Sequence, residues 1–152
     1  MHLIAALMLV QATEGVALET PKGWIRTEDP QKAFVQLRPP DVPPNRECRL
    51  LISPPVDVSV AADALLDQLI GKLTAGRQVQ GDIQRYDTGI FKVALLSQVT
   101  PQGSTEYLAI HATVWGKRGQ SIVYRGSDFE IFKRYSAEVL AVLSKATAPK
   151  SP

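Results

Sequence analysis

From residue 78 onward the chain alternates. Val79 to Tyr86, Ile90 to Thr100, Thr105 to Trp115 and Gln120 to Arg125 read apolar–polar with a period of two, as half-buried strands do. Between them stand Asp87-Thr88-Gly89, Pro101-Gln102-Gly103-Ser104 and Gly116-Lys117-Arg118-Gly119, short glycine-bearing segments with hairpin chemistry. The pattern predicts a four-stranded antiparallel meander. In its third strand Leu108, Ile110, Ala112 and Val114 point to one face, and Tyr107, Ala109, His111, Thr113 and Trp115 to the other. The second face is only semi-polar, so the sheet is expected to be covered at least in part on both sides.

Two segments carry helical spacing instead. Ala62, Leu66, Leu69, Ile70 and Leu73 share one face of a helix over 60–75, with Ser59 expected as its N-cap and Gly76 just past its end. Gly71 inside it weakens the helix by ~1 kcal/mol relative to alanine. Phe132, Tyr135, Val139, Val142 and Leu143 form the stripe of a closing helix that runs to about Lys145. Ser127 and Glu130 stand before it in the Ser-x-x-Glu spacing of a capping box.

The first half is more broken. Val16 and Leu18 alternate with Ala17 and Glu19 as in a strand, and Pro21-Lys22-Gly23-Trp24 reads as a type II turn that releases Trp24 as an apolar anchor. Ala33 to Leu37 and Arg49 to Ser53 read as short strands. The loop Arg38 to Arg46 holds Pro39, Pro40, Pro43 and Pro44, which remove donors from any ladder; an exposed, polyproline-like connection is expected there. The whole predicts an α+β domain: an antiparallel sheet of about six strands layered with two main helices, spanning residues 13–146, with a frayed tail after it.

Leu3 to Val10 is an uninterrupted apolar run, too short for the ~20 residues of a membrane span. Val10-Gln11-Ala12 follows with small or apolar residues where a signal peptidase reads, and Gly15-Val16-Ala17 offers a second site. Residues 1–12 are therefore expected to be an export signal, although no Lys or Arg precedes the run. The same run is also compatible with a first strand or a core helix.

Composition narrows the chemistry. The chain has 152 residues and a formal charge of +2, with its basic residues scattered, so nucleic acid is not an expected partner. Cys48 is the only cysteine, which excludes an intrachain disulfide, and it is expected to act as a small buried hydrophobe. His111 is the only histidine after the first few residues, so neither a transition-metal site nor a cofactor is expected. Gly71-Lys72 imitates the end of a phosphate-binding loop, but Leu66 and Leu73 occupy the positions that a glycine and a Ser or Thr should fill.

Two groups of residues are candidate binding sites. Tyr107, His111 and Trp115 alternate along one strand face and form a row able to hold a ligand or a partner's apolar side chain. Arg38 and Arg46 bracket the proline-rich loop, a stiffened segment of the kind that docks at low entropic cost. The competing reading is a small hydrolase or isomerase with an acid–base pair built on His111 and one of Asp82, Asp87 or Glu106.

The order of elements, with a strand leading to Pro21-x-Gly23-Trp24, the helix at Val60, the meander and the aromatic closing helix with Phe132 and Tyr135, resembles the PsbP-like fold. That group includes the photosystem II extrinsic protein, the Ran-binding Mog protein and DcrB-like exported bacterial proteins. The resemblance implies an antiparallel sheet between helical layers, and no shared catalytic motif. Adaptor or chaperone roles among DcrB-like relatives make a similar role an expectation here. The expected protein is thus a periplasmic or extracellular, non-catalytic binder of another protein, either monomer or homodimer.

Overall fold

A computed structural model describes residues 15–150, apart from 30, 32 and 33. The expected export signal, residues 1–12, lies outside the described residues. An eight-stranded antiparallel sheet forms the body of the protein. Its strands are β1 (Ile25–Asp29), β2 (Phe34–Arg38), β3 (Cys48–Ile52), β4 (Val56–Asp57), β5 (Val79–Thr88), β6 (Phe91–Val99), β7 (Thr105–Trp115) and β8 (Arg118–Gly126). Helix α1 (Ala62–Thr74) lies between β4 and β5, and helix α2 (Phe129–Ser144) closes the chain. The lateral order is β1-β2-β3-β8-β7-β6-β5, and β4 also pairs with β8. The meander β5–β8 is as the alternation predicts.

The two strands beyond the expected six have separate causes. β1 is exposed along its whole length, so no face selects apolar residues and no period marks it. β3 and β4 both pair with β8 and are separated by Pro54-Pro55, which cannot donate to the ladder. In contrast, the strand expected at Val16–Leu18 shrinks to one bridge, in which Ala17 and Thr147 exchange both backbone hydrogen bonds. With Ala146 buried beside it, the ordered chain continues past the end of α2.

The helices cover opposite faces. α2 packs over β8, β3, β5 and β7, where Leu50, Ile122, Tyr124, Ile131, Phe132, Val139 and Leu143 form one core. α1 packs over β7, β6 and β8, where Leu66, Ile70, Leu96, Leu108 and Ile110 form the other. Neither helix begins as the sequence suggests. α1 starts at Ala62 with Ala61 at its cap and no side-chain bond, not after Ser59, because Val58 donates to Lys117 O and holds the chain extended. For α2 the cap is Asp128, which accepts from Ile131 N at 2.9 Å. Ser127 still belongs to the sheet side: its N–H donates to Glu47 O and its Oγ accepts from Glu47 N. Glu130 pairs with Arg134 and Arg46 rather than closing a capping box.

Gly23 has φ 82° and Trp24 N donates to Pro21 O at 3.0 Å, the type II turn that the sequence predicts. Trp24 is buried edge-on to Tyr135, and its indole donates to Glu138 at 2.7 Å. Cys48 is buried as expected; burial pushes its thiol up to about 11, and it sits 3.6 Å from Tyr124 Oη.

Candidate binding site

Each helix covers only part of its sheet face. On the α1 side, no helix among the described residues lies above the half formed by β1, β2, β3 and the near side of β8. Strand alternation places Phe34, Gln36 and Arg38 of β2 on this face, since Val35 and Leu37 join the core under α2. Arg49 and Leu51 of β3 and Val123 and Arg125 of β8 share it. Arg49 lies directly opposite Arg125, and because Leu37 faces Leu50, Arg38 continues the row beside Arg49. Three arginines thus occupy adjacent positions on three neighbouring strands.

Two adjoining concavities occupy this half-face. One, of about 290 Å³, is lined by Ile25, Gln36, Arg38, Arg46 and Arg49 with the start of the proline loop. The other, of about 330 Å³, has apolar walls of Phe34, Leu51, Leu69, Leu73, Leu108 and Val123. Its charged end carries Lys72, Arg77, Arg125 and Glu106. Glu106 is buried and accepts from Arg77 at 2.8 Å and from Gln98 at 2.7 Å through Oε1, while Oε2 meets Arg125 at 2.7 Å.

The sequence candidates separate accordingly. Arg38 and Arg46 come together at one concavity. Arg38 is exposed and has no ion-pair partner among the described residues, whereas Arg46 is clipped to Asp128 at 2.9 Å and to Glu130 at 3.5 Å. The proline loop is pinned too, since Asp41 accepts from Tyr135 Oη at 3.0 Å and Val42 packs on the core. It is a turn with Asn45 at φ 66° rather than a free polyproline arm.

Tyr107, His111 and Trp115 lie on the opposite face of the sheet, the α2 side. Tyr107 is half-buried beneath Phe129 and Phe132, with ring centroids 5.5 and 6.0 Å away. Trp115 is half-buried at the strand end. His111 is buried edge-on to Phe91, with Nδ1 3.1 Å from Ala109 O. Burial lowers its pKa to about 4, although hydrogen bonds to the backbone of Ala109 and Ile122 pull the other way. Glu106, one of its expected acid–base partners, lies on the other face of the sheet with Arg77 and Arg125.

A neutral buried histidine makes stability pH-dependent. The unfolded chain takes up this proton near pH 6.5 and the fold resists it to about 4, so the contribution is whole above ~6.5 and is lost as pH falls towards 4. The expected loss is roughly 3 kcal/mol across that window. Urea titrations at several pH values should show it in the parent chain and not in His111→Gln. An identical pH profile for the two would contradict it.

The residues that sequence reading missed are Arg49, Arg77, Arg125 and Lys72. They are spread over β3, the turn between α1 and β5, β8 and α1; the β3–β8 register sets Arg49 opposite Arg125, and the end of α1 brings Lys72 and Arg77 to the same concavity as Arg125.

This architecture is the PsbP-like fold. The chain is similar to LpqN, involved in cell envelope biogenesis of Mycobacterium tuberculosis, with a TM-score of 0.59 and 14% identity over 89% of this chain and 83% of that one. It is also similar to a Bacteroides thetaiotaomicron protein, with a TM-score of 0.58 and 14% identity, covering 90% of this chain but only 46% of that one. Cyanobacterial PsbP from Synechocystis superposes with a TM-score of 0.53 at 11% identity, over 89% of this chain and 87% of that one. No protein-family model and no curated protein matches the chain. At these identities the likeness defines the fold, which hosts unrelated roles. Among the described residues no helix is long and apolar enough to cross a membrane.

Proposed function

We propose that the chain is an exported, non-catalytic binding protein, adaptor- or chaperone-like, that recognises another protein. The observation that carries this reading is the half of the α1-side face that neither described helix covers, where exposed Ile25 and Phe34 flank apolar walls and a row of arginines. Open concave surfaces that mix apolar area with charge are where protein partners dock. Export is supported by the apolar run Leu3–Val10 with Ala12 after it, and by the likeness in fold to a cell-envelope protein.

Two measurements test it in the native host. Terminal sequencing of the purified protein is expected to give a start at Thr13 or Leu18; an intact Met1 in cytosolic material would contradict export. A photo-reactive residue at Phe34, and separately at Leu140 on the α2 side, is expected to give a discrete protein adduct in the exported fraction from at least one position. Adducts from neither would overturn the binding role.

A further inference from the structure

We infer that the arginine-lined half of the α1-side face, formed by β1, β2, β3 and the near side of β8, docks an acidic, partly apolar segment of the partner protein in extended form. The inference rests on the binding role proposed above and names its surface and the chemistry of its partner.

Charge is the first argument. The two concavities are lined by Arg38, Arg49, Lys72, Arg77 and Arg125 against Glu47 and Glu106, with Arg46 already paired to Asp128 and Glu130. Like charges directly opposite on neighbouring strands are destabilising. Arg49 nonetheless faces Arg125, with Arg38 next in the row. Local carboxylates answer only part of this: Glu47 pairs with Arg49, and Glu106 is shared by Arg77 and Arg125. Arg38 stays unpaired among the described residues, and Arg49 Nε is a buried donor with no hydrogen-bond partner there. An incoming anion would pair with the exposed Arg38.

Geometry then chooses the kind of anion. Neighbouring strands lie ~4.8 Å apart, so the row from Arg38 through Arg49 to Arg125 stretches the charge over roughly 10 Å. A single phosphate or carboxylate is too small to meet all three. An extended peptide crossing the strands presents carboxylates from alternate residues along the row. With the peptide backbone lying between this row and the next, its intervening side chains turn the other way, towards Leu51 and Val123.

The test is fluorescence anisotropy of the purified protein with a short labelled peptide alternating glutamate and leucine. The expected result is saturable binding that weakens as NaCl rises from roughly 50 to roughly 500 mM. It should fall about tenfold or more in Arg38→Glu/Arg49→Gln, and remain in Lys133→Glu/Lys145→Gln, which makes the same change in net charge elsewhere. Should the first variant fail to fold by circular dichroism, the exposed Arg38→Gln is expected to weaken binding in the same direction. No binding of the acidic peptide by the parent protein would overturn the inference, as would equal loss in the two double variants. Binding of anionic phosphatidylglycerol vesicles in place of the peptide would also overturn it, in favour of a membrane surface. A partner cross-linked only from Leu140 would overturn this surface and leave the binding role standing, whereas no cross-link from either face removes the role itself.

Discussion

Phe132→Ala should destabilise the protein by about 3–5 kcal/mol, through lost transfer energy and a residual cavity. Phe132 stands where α2 packs against the backbone of β8. Its ring centroid is 4.6 Å from that of Tyr124, and Tyr124 Oη donates to the Phe132 carbonyl at 2.6 Å. Gly126 lies directly beneath: a Cβ there would come within 2.8 Å of Phe132 Cβ and 2.9 Å of its Cα. Backbone and ring are both held, so the site has little freedom to collapse around a truncated side chain. Lys133→Ala, on the exposed side of the same helix, should cost no more than ~0.5 kcal/mol. Equal midpoints for the two variants in a urea titration would show that this face of α2 does not carry the packing.

Glu106→Ala is expected to cost about 2–3 kcal/mol. The carboxylate is buried, and Arg77, Gln98 and Arg125 converge on it. Removing one partner of a buried ion pair strands the charges that remain. Here both guanidinium groups keep about a third of their side-chain surface in water and can turn outward, which places the cost below that of a fully enclosed pair. Arg125→Ala should cost less, because Glu106 then keeps Arg77 and Gln98. A double-mutant cycle of Glu106 and Arg125 in denaturant measures their coupling, and a coupling near zero would contradict the shared role of this carboxylate.

What the sequence made legible follows from how strongly each element is held by one face. β6–β8 and both helices carry a clear period because each buries a continuous stripe against the other layer. The closing stripe is observed as expected, with Phe132, Tyr135, Val139 and Leu143 buried. β1 was illegible because it buries nothing, and β4 because prolines cut it from β3. Both N-caps were misplaced for the same reason. The residues just before each helix, Val58 and Ser127, are still held by sheet bonds that no local motif reveals.

The binding surface was legible only in part. Arg38 and Arg46 were visible as the ends of a proline loop, and the structure joins them at one concavity. Their neighbours Arg49 and Arg125 are separated by most of the chain and become neighbours only through the β3–β8 register. The row at Tyr107 and His111 was legible as a row, but the alternation that defines it does not say which helix crosses it. α2 sets Phe129 and Phe132 against Tyr107, and burial keeps His111 neutral.

The most direct measurement of the central claim is an NMR titration of the isotopically labelled protein with the acidic peptide. The account predicts that amide shifts concentrate at Phe34, Arg38, Arg49, Leu51, Val123 and Arg125, on the arginine-lined half of the α1-side face. Shifts concentrated instead at Tyr86, Phe129 and Leu140, the exposed apolar residues of the α2 side, would contradict it.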